Sequence, residues 1–290
     1  MRANLLAGTS YYPLAMPAPV PTILLFDSGL GGLTVFAEVL KARPDARFVY
    51  AGDDAGFPYG RLSEEALVAR VLSVMARLVD LHAPDLVVIA CNTASTIVLP
   101  HLRERFPIPF VGTVPAIKPA AGLSISKRIT VLATPGTVAR EYTRDLVQTY
   151  AAGCAVNLVG SRRFAAFAEA ELIGAPVTDE EIADELAPCF VEDEGGRTDV
   201  IALGCTHYPI LLPRFKALAP WPVTWIDPAP AIARRVVQLL GGPVPGHEAD
   251  EDEAHAVFTS GALMTPALRE ALRDRGLPSV AVEPMPLTLG

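Results

Sequence analysis

Two cysteines in this chain stand in matching surroundings. Cys91 follows the apolar run 86–90 and precedes Asn92 and Thr93, while Cys205 follows the run 200–204 and precedes Thr206 and His207. A thiol where a strand hands over to a helix meets free backbone N–H groups and the positive end of the helix dipole. That setting is expected to lower its pKa from about 8.5 and favour the thiolate. Asn92, Thr93 and Thr206 offer amide and hydroxyl groups to a bound carboxylate, and His207 is placed to tune Cys205 or relay its proton. Two thiols facing one cleft suit a symmetrical proton transfer, in which one thiolate takes a proton from a carbon centre and the opposite thiol returns one. A cysteine nucleophile with a histidine base would need only one thiol. Cys154 and Cys189 lack this context and read as ordinary thiols. His82, His101, His247 and His255 read as surface or packing residues.

A third strand end carries Asp27-Ser28-Gly29-Leu30-Gly31-Gly32. The glycines permit a tight turn, and the N–H groups that follow can hold an anion. Asp27 itself needs partners, because a carboxylate directly after an apolar strand is costly to bury alone. Asp53 and Asp54, ahead of Pro58-Tyr59-Gly60, invite the same reading. No metal is expected: Cys91, Cys205 and His207 lack the local ligand pairs of a zinc site, and no CxxC pair occurs. The four lysines, Lys41, Lys118, Lys127 and Lys216, stand apart from the glycine-bearing strand ends, which disfavours a Schiff-base cofactor.

The elements that must hold these residues follow an α/β pattern with buried parallel strands. Strands are expected over 22–26, 47–51, 86–90, 110–111, 129–133, 156–159, 200–203 and 223–226, with helices over 33–42, 63–82, 137–150, 179–191 and 232–240. Ser63, ahead of Glu64 and Glu65, is a candidate N-cap. One more strand and helix are expected over 257–260 and 266–275. The pattern repeats: the segments ending at Gly29 and Gly136, at Gly52 and Gly160, at Cys91 and Cys205, and Pro115-Ala-Ile117 and Pro230-Ala-Ile232 match in order. Their offsets run from roughly 107 to 115 residues, as a duplicated α/β unit with one insertion would give. If the halves face each other, Cys91 and Cys205 approach one cleft from opposite sides, since ligands gather where parallel strands end.

The whole chain agrees with this. At 290 residues, two domains are expected. A hydrophobic share of 51% against 19% charged supports folded cores. A net charge of −8 argues against nucleic acid and anionic membranes as partners. No apolar run reaches the ~20 residues of a membrane span. Residues 1–21 carry Arg2, but Pro13, Pro17, Pro19 and Pro21 break their apolar stretch. They read as a lead-in rather than a secretory signal, with Met16 a candidate start. The sparse cysteines suit a reducing cytoplasm, and the acidic stretch 247–253 reads as a solvated loop.

The segments Phe26-Asp-Ser-Gly-Leu-Gly-Gly-Leu33, Gly52-Asp53 through Pro58-Tyr-Gly60, Ala90-Cys-Asn-Thr-Ala-Ser95, Ala133-Thr-Pro-Gly-Thr137 and Leu203-Gly-Cys-Thr-His-Tyr-Pro209 together resemble the glutamate racemases. The resemblance spans roughly residues 22–240. It implies two similar parallel-sheet domains facing an active-site cleft, with a discontinuous first domain (22–115 plus 227–290) and a second over 116–226. It further implies cofactor-independent interconversion of L- and D-glutamate in the cytoplasm, supplying D-glutamate for peptidoglycan. Cys91 and Cys205 would be the acid/base pair, with Asp27 assisting Cys91 and His207 assisting Cys205. Glu169, in Phe167-Ala-Glu-Ala, is the best match to the family's further carboxylate. Substrate contacts carry over to Asp27, Ser28, Tyr59, Gly60, Asn92, Thr93, Thr206 and His207. Asp54 departs from the small hydroxyl or amide residue common at its position. Relatives are often dimers, and some with N-terminal extensions respond to a peptidoglycan precursor, which residues 1–21 raise here. An aspartate or other amino-acid racemase, a cysteine-nucleophile amidohydrolase and an acidic amino-acid binding module remain as alternatives.

Overall fold

The computed structural model describes residues 20–244, 246, 254–262 and 264–285. The readings of the N-terminal lead-in before residue 20, of His247 and of the acidic stretch 247–253 lie outside the described residues. The chain begins with β1 (Thr22–Asp27), α1 (Leu33–Ala42), β2 (Arg47–Gly52), a 3₁₀ turn Tyr59–Arg61, α2 (Glu64–His82), β3 (Leu86–Ile89), α3 (Asn92–Arg105), β4 (Phe110–Gly112) and α4 (Ile117–Leu123). A second series follows with β5 (Arg128–Ala133), α5 (Pro135–Ala139), α6 (Glu141–Tyr150), β6 (Ala155–Gly160), α7 (Phe164–Leu172) and α8 (Asp179–Leu186). It continues through the short β7 (Glu192–Asp193) and β8 (Gly196–Arg197), β9 (Val200–Gly204), α9 (Leu212–Leu218), β10 (Thr224–Ile226) and α10 (Ala229–Leu240). The chain then adds β11 (Ala254–Phe258), α11 (Pro266–Arg273) and β12 (Ser279–Val282).

Two parallel sheets result, in the orders β12-β11-β2-β1-β3-β4 and β10-β9-β5-β6. Read from its other end, the second sheet is β6-β5-β9-β10, the same arrangement as β2-β1-β3-β4, so the sequence repeat is a repeat of topology. The C-terminal strands β11 and β12 return to extend the first sheet beside β2. Each sheet is buried on both faces. In β1, Ile23 and Leu25 pack with α1 and α10 residues such as Phe36 and Val236, while Leu24 and Phe26 pack with α2 and α3 residues such as Val71 and Val98. This period of two explains the continuous apolar runs of the strands. The second sheet is covered by α7, α8 and α9 on one face and by α4 and α6 on the other.

Local signals explain most boundaries. Ser63 caps α2, its hydroxyl accepting the Ala66 N–H at 3.2 Å. The single helix expected over 137–150 is instead two, because the chain is extended at Arg140 (φ −74°, ψ 143°), where its guanidinium reaches Glu64 of α2. The helix expected over 179–191 stops at Leu186, since Pro188 cannot supply the next N–H, and a 3₁₀ turn Ala187–Cys189 follows. Helix α3 had no counterpart among the expected helices. Its β-branched residues and internal Pro100 obscure the helical period.

Candidate active site

Cys91 is the N-cap residue of α3, directly beyond β3, which lies between β1 and β4 in the first sheet. Its Sγ lies 3.7 Å from Ser28 Oγ, on the turn that follows β1. Asp27 is fully buried at the end of β1, where its Oδ1 accepts the Gly29 N–H at 2.9 Å and its Oδ2 accepts the Thr206 hydroxyl at 3.1 Å. The anion held by this glycine turn is thus the chain's own Asp27. Burial, then the Asp27 charge, pushes the Cys91 thiol up to about 12, against the opposing pull of the Ala94 N–H and the Ser28 hydroxyl. This overturns the expectation of a lowered Cys91 pKa. Desolvation in a closed, carboxylate-bearing site outweighs the helix N-terminus. Burial also raises Asp27 above the usual carboxylate range, although His207, Gly29 and Thr206 all oppose it.

Cys205 follows β9, the central partner of β5 in the second sheet. It precedes a turn and the 3₁₀ segment Tyr208–Leu211 rather than an α-helix, so no helix dipole of the expected kind stands behind it. Its Sγ lies 3.7 Å from His207 Nδ1, and His207 Nε2 lies 3.1 Å from Glu169 Oε1 on α7. Burial draws the His207 pKa down, but the hydrogen bonds to Cys205 and Glu169 and the nearby charges outweigh it and hold the pKa well above the ordinary value. This favours the protonated form of His207, with Nδ1 toward the Cys205 sulfur and Nε2 toward the Glu169 carboxylate.

The two groups share one cavity of about 40 Å³ between the sheets, lined by Ser28, Cys91, Asn92, Cys205, Thr206 and His207 among others. By volume this holds only about three waters, so the cleft is closed. The two thiols are 7% and 6% exposed. Contacts across the cleft close it: Thr206 to Asp27, the Thr34 hydroxyl to the Thr206 carbonyl at 3.0 Å, Thr93 to Thr134 at 3.4 Å, and the ion pair of Arg140 with Glu64. Gly29 and Gly31 permit the approach. A Cβ on Gly29 would stand 2.7 Å from Glu169 Oε1, and one on Gly31 would overlap the His207 ring. Among the described residues, Asn92 Nδ2 is buried in this cavity without a partner, while Asn92 Oδ1 accepts the Thr113 hydroxyl at 3.4 Å. An unpaired buried amide is costly unless a ligand takes it. The cavity can therefore receive an oxygen acceptor at Asn92, with a thiol on either side.

Residues 32–236, most of the region that builds this cleft, match the Asp/Glu/hydantoin racemase family. The chain belongs to that family. It is 53% identical over 243 residues to the glutamate racemase of Brucella anthropi, covering 82% of this chain and 86% of that one. It is 55% identical over 240 residues to the glutamate racemase of Mesorhizobium japonicum, covering 82% and 91%. Among solved structures, Escherichia coli glutamate racemase in complex with L-glutamate and the activator UDP-MurNAc-Ala is similar at a TM-score of 0.83 and 38% identity, covering 94% of this chain and all of that one.

In this racemase the structure brings Asp27, Ser28, Cys91, Asn92, Thr93, Cys205, Thr206 and His207 together, with Glu169 behind His207. Tyr59 and Gly60 line the cavity, but the Tyr59 hydroxyl faces away and donates to Asp53 at 2.5 Å. Asp53 also takes Arg70 at 2.5 and 2.9 Å and the Thr259 hydroxyl at 2.7 Å. It anchors the Tyr59 loop rather than entering the site. Asp54 turns to the Ser260 N–H and hydroxyl, at 2.7 and 2.6 Å, tying the same loop to β11. Phe57, whose ring centroid lies 5.9 Å from that of His207, and Thr134 were missed as site residues. The repeat carried a signal for Thr134, which takes the place of Asp27 in the second half. Cys154 and Cys189 lie elsewhere, and all four cysteines are free. Among the described residues, no group of three or more His, Cys, Asp or Glu side chains could hold a metal, and no helix is long and apolar enough to cross a membrane.

Proposed function

We propose that this racemase interconverts L- and D-glutamate without a cofactor, through proton transfer between two cysteines. The observation that carries the reading is the pairing of Cys91 and Cys205 in one water-poor cavity with the unpartnered Asn92 amide. Asn92, with the hydroxyls of Thr93 and Thr206 and the N–H groups at the start of α3, binds the α-carboxylate. These donors stabilise the charge that develops when the α-proton leaves. In one direction the Cys205 thiolate, beside cationic His207, takes the α-proton as its S–H bond forms. The C–H electron pair passes into the carboxylate-stabilised carbanion. The neutral Cys91 thiol then delivers its proton to the opposite face and is left as thiolate; the reverse direction starts from that state. Asp27 and Ser28 manage the charge at Cys91, and Glu169 with His207 at Cys205. Desolvation makes the Cys91 thiolate a stronger base than it is in water.

The relatives' names support glutamate over aspartate, and racemisation of both followed by circular dichroism separates these substrates. Admission of an amino acid requires the cleft to part. We assign the hinge to the junctions of a first domain, 22–115 with 227–290, and a second, 116–226. The test of the reaction is turnover in D₂O with no added cofactor. Deuterium is expected at the α-position of the product, and Cys91→Ala or Cys205→Ala is expected to abolish inversion in both directions. Inversion without solvent exchange, or a single essential cysteine with a trapped acyl-enzyme, would instead support a cysteine-nucleophile amidohydrolase or another mechanism. We place the enzyme in the cytoplasm as a homodimer supplying D-glutamate to peptidoglycan. The activator in the Escherichia coli complex leads us to propose regulation by a precursor of that class. A cavity of about 510 Å³ lined from both halves, with Lys118, Arg234 and Arg235, offers cations to its diphosphate. Addition of UDP-MurNAc-Ala is expected to raise kcat, and unchanged turnover at saturating nucleotide would remove this part.

A further inference from the structure

Tyr50 is fully buried in β2, between β1 and β11, and the scheme above gives it no step. Its ring packs edge-on to Phe36, with centroids 6.4 Å apart. A buried phenol needs partners for its hydroxyl. The Tyr50 hydroxyl finds its partner on the glycine turn above β1, donating to the Gly29 carbonyl at 2.7 Å and lying close against Gly32. It thus spans the two ends of the segment 29–32. A Cβ on Gly32 would lie 3.1 Å from this oxygen and 2.7 Å from Asp27 Cβ, so only a glycine admits both groups so closely.

Gly29 is where the two thiol networks meet. Its N–H holds Asp27 Oδ1, its neighbour Ser28 touches Cys91, and its bare Cα faces Glu169 Oε1, which in turn holds His207 beside Cys205. We propose that the Tyr50 hydroxyl is a positioning residue for racemisation: by pinning the Gly29 carbonyl it sets the turn that holds Asp27 and receives Glu169, keeping both thiols in register across the cleft. The inference rests on the racemase reading above. Burial and the charges of Asp27 and Glu169 push the Tyr50 phenol well above its ordinary value, so it remains a hydrogen-bond donor throughout the working range. A purely packing tyrosine would be replaceable by phenylalanine. A positioning one would not, because a displacement of ~1 Å at reacting groups can cost about 100-fold in rate.

The test compares full-length wild type, Tyr50→Phe and Phe36→Leu, the last loosening the same ring without touching the hydroxyl. Thermal unfolding is measured with kcat, KM and the α-deuterium isotope effect for L- and D-glutamate. Tyr50→Phe is expected to lower kcat about 10- to 100-fold with KM within about threefold, and to enlarge the isotope effect as proton transfer becomes more limiting. Phe36→Leu is expected to lower Tm and leave the isotope effects in place. A folded Tyr50→Phe enzyme with kcat within about twofold of wild type and unaltered isotope effects overturns the proposal, whatever its Tm. Should that chain not fold, replacing the Gly29–Leu30 amide by an ester weakens the same acceptor with Tyr50 in place, and the same outcomes decide. A wild-type chain that does not racemise glutamate overturns the underlying reading, whereas an active wild type with an unaffected variant overturns only the role of Tyr50.

Discussion

Alanine at Gly31 should disable this enzyme without unfolding it. Gly31 does not adopt a positive φ, so its backbone does not resist a side chain. What an added Cβ meets is the His207 ring from the facing half, with Cγ and Cε1 each 2.7 Å away. Ordinary carbon contacts begin near 3.5 Å, so the ring must retreat by about 1 Å. His207 is held between Cys205 and Glu169, at 3.7 and 3.1 Å, and cannot retreat without lengthening one of those contacts or forcing the halves apart. Overpacking of this kind costs about 1–3 kcal/mol of stability, which a chain of this size tolerates. In the proposed mechanism, displacement of His207 from Cys205 by ~1 Å should lower kcat about 100-fold. Because the enantiomers have equal free energy, kcat/KM must fall by the same factor in both directions. Gly29→Ala is the internal comparison. Its Cβ meets the far end of the flexible Glu169 side chain, also at 2.7 Å, which can swing aside at the cost of its bond to His207 while the ring stays in place, so a loss of at least about tenfold but smaller than that of Gly31→Ala is expected. Circular dichroism at 25 °C with each enantiomer gives both constants, and thermal unfolding reports the fold. A folded Gly31→Ala enzyme turning over within about threefold of wild type, or Gly29→Ala losing more than Gly31→Ala, would refute the steric argument.

Two further expectations follow from the charges. Glu169→Gln keeps a hydrogen-bond acceptor for His207 Nε2 but removes the carboxylate that helps hold its proton. A charge-assisted bond exceeds a neutral one by about 1–1.5 kcal/mol, so kcat should fall about tenfold, and the alkaline limb of the pH–rate profile should move to lower pH. An unmoved limb would detach Glu169 from His207. Far from the site, His82 at the end of α2 packs at a tilt of 48° against His255 of β11 with centroids 5.2 Å apart, and His82 Nε2 is buried without a partner among the described residues. Burial and the facing His255 lower the His82 pKa, burial lowers that of His255, and Glu283 offsets part of the effect at His82. The unfolded chain therefore binds more protons than the folded one as pH falls through about 6.5, and stability is lost on the acid side of that value. His82→Leu should make the urea midpoint less sensitive to pH between about 7.5 and 5.5; equal slopes for variant and wild type would exclude the pair as a source.

Much of this was legible from one-dimensional signals. Buried parallel strands announce themselves as apolar runs, and β1, β3, β5 and β9 are such runs. The repeat of strand, turn and cysteine motif gave the two-sheet plan and the opposed placement of Cys91 and Cys205, because side chains at equivalent strand ends must face the same way. Helix α3 was hidden by its β-branched residues and Pro100, and the break at Arg140 by its cause, an ion pair with Glu64 some 76 residues away.

Residue types and their order along the strands thus determined the fold class, the repeat and which two thiols line the shared cleft, because these depend on local pattern and on parallel-sheet geometry. Tertiary structure alone decided the ionisation of the site and the purpose of its glycines. Cys91 sits at a helix N-terminus, a setting that favours the thiolate, yet its thiol rises to about 12 because burial and Asp27 act together in a closed cavity. The glycines of the first turn look, in sequence, like an anion loop. In the fold they hold the chain's own Asp27 and leave room for His207 and Glu169 from the other half. Both facts arise from groups distant in sequence and adjacent in space, so desolvation and contact could be assigned only once the two halves were brought together.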